Sequence, residues 1–261
     1  MAFRYGPGPI LDAFPGAQAA YSLRLLRSTY TGSCLTVRRS SDNATRNIGF
    51  YRYTVDTQAV LDFVGSGNGF VTTWFDQSTN GVNLSQGTAA SQFSIVTSGS
   101  LHYEGNDLVM NAATNRVFLR NTNSVTLANW TIYVKSRMTS PYGHYVGHPA
   151  SLVGFMQHSG QGLSYWFNSV YNNLAGGFGA GYSTAYRKLQ AKRNATSTTI
   201  RGYQNAINLG GANVATTLNI GTNAQIFGDF AGGGYSGTIR ECLIYPVEHD
   251  DYTIGQINNT M

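Results

Sequence analysis

Charge is scarce in this sequence. Only 11% of its 261 residues are Asp, Glu, Lys or Arg, so long amphipathic helices with charged outer faces are not expected. Cysteine is nearly absent: Cys34 and Cys242 stand near opposite ends of the chain, too few for the disulfide framework of a small secreted scaffold. The expectation is two buried reduced thiols, a single bridge between the first and last strands being the alternative. No apolar run approaches the 18 residues of a membrane helix, and the opening MAFRYGPGPILDAFPG lacks a charged segment followed by an apolar core. Neither a membrane span nor a signal peptide is therefore expected. No period of 20 to 50 residues recurs, which argues against repeat architectures.

Chemical signatures are sparse as well. His144 and His148 have a metal-like spacing, but Gly143, Gly147 and Pro149 surround them and are wrong for a zinc helix, so the spacing is read as chance within a loop. The glycine-rich pieces GSGNGF and GGFGAGY lack the Gly-Lys-Ser/Thr end of a phosphate loop and read as turns. No G-x-S-x-G elbow occurs, and acids cluster only at residues 248–251. No cofactor and no metal site are expected.

The acids are also unevenly placed. Residues 1–107 hold seven acids and seven bases, residues 108–228 hold nine bases and no acid, and residues 229–261 hold five acids and one base. The cluster Arg187, Lys188, Lys192 and Arg193 reads as a solvated face; the functional alternatives are an acidic glycan, a phosphate, or the acidic C-terminal segment of a neighbouring subunit. With no helix-turn-helix, zinc or RNA-recognition motif beside it, nucleic acid is not an expected partner.

What is abundant is β-forming and turn-forming: 31 Gly, 17 Tyr and 13 Phe, with many Ser, Thr and Asn. This composition suits short strands joined by tight turns, hence an all-β sandwich with a few short helices. Residues 1–16, rich in Pro and Gly, read as a docking arm, and residues 17–261 as one domain. A short helix is expected from Ala17 through AQAAYSLRLLRSTY, and a strand in CLTVRRS. Asp56 and Gly65 frame a two-turn helix as its caps. The run Asp76-Gln77-Ser78-Thr79-Asn80-Gly81 demands a turn, with Asp76 bonding its own backbone. Strands follow at VFLR (117–120), NWTIYVKSRM (129–138), SLVGFMQH (151–158) and GLSYWFNS (162–169), with Ile132, Val134 and Met138 on one face. STTIRGYQNAINLG reads as a hairpin, YSGTIRECLIYP as a last strand ended by Pro246, and 249–258 as a closing helix.

Two stretches carry a resemblance: AYSLRLLRSTYTGSCLTVRRSSDNATRNIGF with TTWFDQSTNGVNLSQ, and IFGDFAGGGYSGTIRECLIYP. They resemble the catalytic domain of arabinofuranosidase B-type glycosidases and, more closely, non-enzymatic relatives of that domain in bacteriophage virion proteins; the second half is also similar to laminin G-like and concanavalin A-like modules. The resemblance implies a concanavalin A-like jelly roll whose concave face or loop rim contacts sugars. It also implies an acid/base Asp in a Gly-Asp step before the last strand, matched here by Gly228-Asp229. The family nucleophile is a mid-domain Glu, and no acid stands between Asp107 and Asp229, whereas retaining hydrolysis uses two carboxyl groups about 5 Å apart. Asp229 paired with Glu241 or with Asp76 would be a departure from the family geometry.

The expectation is therefore a non-enzymatic virion protein, a head-decoration, fibre or tail-associated subunit at the phage particle surface. Its expected partners are other virion proteins and copies of itself, with host-surface glycans as candidate ligand. The candidate ligand-binding residues are Tyr165, Trp166, Asn168, Tyr171, Asn172 and Asn173, which combine flat aromatic faces with amide hydrogen-bonding groups, together with Asp229 and Tyr235; none is expected to be catalytic. The alternatives are a glycoside hydrolase of the arabinofuranosidase type and a purely structural capsid-bracing subunit.

Overall fold

The computed structural model describes residues 8–112, 119–121, 125–139, 142–148, 153–158, 162–167, 170–173, 187–213, 217–219, 225–228 and 235–261. The main strands join in a 19-stranded antiparallel system that forms a jelly-roll sandwich of two layers. One layer centres on Gly237–Tyr245 and Trp130–Met138, continuing through Arg187–Arg193 and Thr199–Gln204 to Ile207–Asn213. Its other edge is shared by Ala19–Ser22 and Met110–Ala112. The second layer runs from Thr45–Ile48 through Leu35–Arg39, Gly69–Trp74, Leu84–Ser85 and Leu119–Asn121 to Gln225–Gly228. From there it continues through Tyr142–His148, Val153–His158 and Gly162–Phe167 to Val170–Asn173. Phe93–Thr97 bonds to both Gly69–Trp74 and Met110–Ala112 and so links the layers.

Alternation along each strand builds the main core. Ile132, Val134 and Met138 point inward together, as the sequence pattern predicts, and meet Leu35, Val71, Phe155 and others from the opposite layer. Large rings bridge the layers: Trp130 stacks on Tyr165 with centroids 5.7 Å apart, and Tyr21 leans on Trp74 at the same separation. A second core lies on the outer side of the first layer. There Ala20, Tyr133, Tyr203 and Leu243 pack under Ile10 and Leu11 from one short helix and Ile254 and Ile257 from the closing helix.

The cap chemistry is as local rules require. Asp56 accepts the Ala59 amide at the start of helix Thr57–Val64, and Gly65 follows it with φ 65°. Asp250 likewise accepts the Thr253 amide to open helix Asp251–Thr260. Asn205 and Ala206, both at positive φ, turn the Thr199–Gln204 strand into Ile207–Asn213. Both cysteines are buried and free.

Three expectations fail. The stretch from Ala17 is not helical: Ala19–Ser22 is a fully buried strand paired with Glu241–Ile244, because ladder bonds and burial on both faces outweigh a weak intrinsic preference for helix. His144 and His148 lie on a strand, not in a loop. The basic cluster is not a solvated face either, since Lys192 and Arg193 are 6% and 5% exposed. Lys192 donates to the His249 carbonyl and to Asp251, Lys188 to the Asn258 carbonyl, and Arg193 to the Ala128 carbonyl. The heads of Lys188 and Lys192 tie this chain's own C-terminal segment to the sheet. The described part of the N-terminal arm also packs on its own chain: the Leu11 amide donates to the Leu26 carbonyl, and Tyr245 Oη to the carbonyl of Phe14.

Candidate functional site

The strand Gln225–Gly228 delivers the chain into Asp229 and is wholly buried. Its third residue, Phe227, has φ 58°, a left-handed conformation that is an outlier for a bulky side chain. Such strain persists only where surroundings over-determine it, and it clusters at functional sites. Here the determinants are aromatic: the Phe227 ring meets Tyr235 at 5.3 Å, Tyr145 at 6.1 Å and Phe93 at 6.5 Å. The next residue has no room for a side chain, because a Cβ on Gly228 would come within 2.5 Å of Gln225 Oε1 and 2.9 Å of His144 Nε2. Gly228 pairs in register with the buried His144. The backbone is thus held on both sides at the step that precedes Asp229.

Two of the predicted ligand residues are core residues. Tyr165 is fully buried against Trp130, and Tyr235 is fully buried with its hydroxyl donating to the carbonyls of Arg137 and Thr238. Both rings are therefore packing residues in this fold and not an open sugar platform, which corrects the reading of the aromatic run as a ligand surface at these two positions. For Tyr165 the physical reason is alternation in a two-layer sandwich, which sends every second strand residue into the core; Tyr235 precedes the last strand and packs against Phe93 and Phe227. Trp166 and Tyr171 stand opposite one another on adjacent strands, as do Tyr165 with Asn172 and Ser164 with Asn173. Asn168 and Asp229 lie outside the described residues.

Two carboxylates considered as partners for Asp229 are already engaged. Asp76 accepts from the Ala20 and Ser78 amides through Oδ1 and from Ser78 Oγ and the Val82 amide through Oδ2. Glu241, 0% exposed, accepts from Arg24 through both oxygens and from Ser22 Oγ. Burial by itself would raise the Glu241 pKa, but the Arg24 charge and hydrogen bonds outweigh it and hold the carboxyl below its ordinary value. Both carboxylates are thus committed to bonds within the fold.

A second charged region includes Arg187 and Lys188 of the basic cluster. Glu104, Asp107, Lys135, Arg187 and Lys188 surround a cavity of about 330 Å³ on the outer face of the first layer. Its residues come from four separate segments, and only the register of Lys135 against Lys188 and Glu241 brings them together. Among the described residues no group of three or more His, Cys, Asp or Glu is arranged to hold a metal ion, and no helix is long and apolar enough to cross a membrane.

Comparison with known proteins bears directly on this arrangement. The family model described as Alpha-L-arabinofuranosidase B, catalytic, matches residues 12–243. Among solved structures, a GH54 α-L-arabinofuranosidase soaked with a cyclic sulfate inhibitor superposes with TM-score 0.66 at 18% identity, covering 98% of this chain and 64% of that one. An arabinofuranosidase complexed with arabinofuranosyl-alpha-1,2-xylobiose gives TM-score 0.62 at 19% identity with the same coverage. The chain therefore spans about 64% of the length of these solved relatives, and at such identity the likeness shows the fold. A search of curated proteins found no match. The family match overturns the expectation of a non-enzymatic virion subunit, because the matching family is that of a catalytic domain. Nothing in either comparison supports the virion, capsid or tail-fibre reading.

Proposed function

This chain belongs to the alpha-L-arabinofuranosidase B catalytic-domain family, and on that premise we propose that it is a glycoside hydrolase domain acting on arabinofuranosyl-bearing glycans, with Asp229 as its proton donor. The observation that carries the reading is the strained, buried step Phe227-Gly228, held by three aromatic rings and by His144 immediately before Asp229. A general acid must be held in place, and the fixed backbone ends one residue before Asp229.

In the proposed reaction Asp229, protonated, gives its proton to the glycosidic oxygen as the bond from that oxygen to the anomeric carbon breaks. Water adds to the carbon and releases a proton, restoring the acid. Residues 108–228 contain no Asp or Glu, and the carboxylates of Asp76 and Glu241 are occupied by structural bonds. The step that a second carboxylate accelerates in two-carboxylate glycosidases thus has no supplier in the middle strands. Turnover slower than in such enzymes follows from this.

The test is release of arabinose from arabinofuranosyl-α-1,2-xylobiose, whose sugar leaving group needs a proton, by the purified protein and by Asp229→Asn, with the anomer of the released sugar followed by NMR. Release by the parent protein that falls about a hundredfold or more in the variant supports the assignment. If the parent releases no more than buffer, even where it binds the arabinoside, the hydrolase reading is wrong. Equal release by both proteins removes Asp229 from its role.

A further inference from the structure

The hairpin formed by Phe50–Tyr51 and Thr54–Val55 turns through two residues, Arg52 and Tyr53. Arg52 has φ 57°, a left-handed conformation that the first residue of such a turn adopts readily only as Gly, Asn or Asp. An arginine there carries a backbone cost that glycine would remove, and strain of this kind clusters where a side chain is put to use. Arg52 is exposed together with two tyrosines: Tyr51 is 61% and Tyr53 63% exposed. The Arg52 guanidinium lies over the Tyr51 ring, 5.5 Å from its centroid. Among the described residues, no hydrogen bond or ion pair within the chain engages the side chain of Tyr51, Arg52 or Tyr53.

The backbone that carries them is fixed. The Leu25 amide donates to the Tyr53 carbonyl at 2.9 Å, the Val55 amide to that of Leu23 at 2.8 Å and the Asp56 amide to that of Gly49 at 3.0 Å. Phe50 meets Tyr30 edge to face with centroids 6.1 Å apart, and Val55 is fully buried. A ligand that contacts the three exposed side chains need not order the chain first.

Tyrosine and arginine are recognition residues: the rings offer flat apolar faces bounded by hydroxyls, and the guanidinium offers several donors. A stable protein partner covers about 800 Å² on each side, far more than three residues present. Flat faces with polar rims instead suit sugar rings, whose C–H faces stack on an aromatic while their hydroxyls meet hydrogen-bonding groups at the edge. We propose that the Tyr51-Arg52-Tyr53 turn is a glycan-binding surface that holds a polysaccharide chain, with sugar rings on Tyr51 and Tyr53 and hydroxyls bonded to Arg52. The choice of an arabinose-bearing polymer rests on the hydrolase reading. The turn serves binding and not bond cleavage.

Affinity gel electrophoresis in soluble arabinoxylan tests it on the parent protein, Tyr51→Ala, Tyr53→Ala and Arg52→Gly, beside thermal melting and turnover of arabinofuranosyl-α-1,2-xylobiose. The parent should be retarded by the polymer, and each tyrosine variant should bind it about tenfold more weakly. Arg52→Gly should melt at or above the parent's temperature, because glycine relieves the turn, and yet bind about threefold or more weakly. A residue kept only for folding would not show that combination. No retardation of the parent, or affinity unchanged in both tyrosine variants, would overturn the proposal, as would turnover of the trisaccharide that falls in step with polymer affinity. Failure of the hydrolase reading looks different: the parent then binds the polymer through the tyrosines and leaves the trisaccharide intact.

Discussion

Asp76 and Ala20 are joined by a 2.8 Å hydrogen bond from the Ala20 amide to Asp76 Oδ1, across 56 residues of sequence. The turn that carries Asp76 does more than reverse the chain. Gln77 accepts the Leu26 amide and donates to the carbonyls of Ser22 and Arg24, and Asn80 donates to those of Ala17 and Gln18. The whole motif is a clamp on residues 17–26, and it holds the first strand in place.

Replacing Asp76 by Ala leaves the Ala20, Ser78 and Val82 amides without their side-chain acceptor in a buried setting. Each such orphaned group costs about 1–3 kcal/mol, so a loss of about 3 kcal/mol or more in urea unfolding is expected. A loss below about 1 kcal/mol would show that the clamp contributes little.

Arg24 and Glu241 form a buried ion pair at 2.7 Å. Either Arg24→Met or Glu241→Gln is expected to cost about 3–5 kcal/mol, and the double variant less than the sum, since breaking one side strands the other charge. The Glu241 pKa is lowered in the folded protein. Its contribution is therefore present above the unfolded carboxyl value of about 4.3 and lost as pH falls below it. Thermal melts of the four proteins from pH 3 to pH 7 check both statements, and strictly additive effects would contradict the first.

His249 sits beside Tyr133, with Tyr133 Oη 2.7 Å from its Nδ1. Burial first, then the Lys192 charge, lower its pKa to about 4 against the opposing pull of Asp250. The unfolded chain takes up a proton near pH 6.5, the folded one only near pH 4, so stability falls as pH drops through this window. His249→Gln should flatten that part of the stability curve, measured by melting temperature at pH 4, 5, 6 and 7. An unchanged slope would mean that other groups set the acid limit.

Local chemistry was readable without coordinates where it is complete within a few residues. The caps at Asp56 and Gly65, the Asn205 turn and the bonds within Asp76 to Gly81 all involve near neighbours. The alternation of Ile132 and Val134 likewise placed one face of a strand in the core. The family signal at Gly228-Asp229 is visible as a resemblance, while the missing mid-chain carboxylate points to a non-enzyme, an expectation that the catalytic-domain match corrects.

Other features arise only when distant segments meet. Nothing near Ala19 says that its partner is Ile244, so a stretch of helix formers became a buried strand. Lys192 looks solvated by composition, yet Asp251 and the His249 carbonyl await it 57 to 59 residues away. The strain at Phe227 depends on rings contributed by Phe93, Tyr145 and Tyr235. Sequence by itself determined the β class, the caps and the turns, because those rest on backbone preferences and short-range hydrogen bonds. Tertiary structure decided which aromatics are core and which charges are neutralised, because burial and Coulomb energy depend on distance in space and not along the chain.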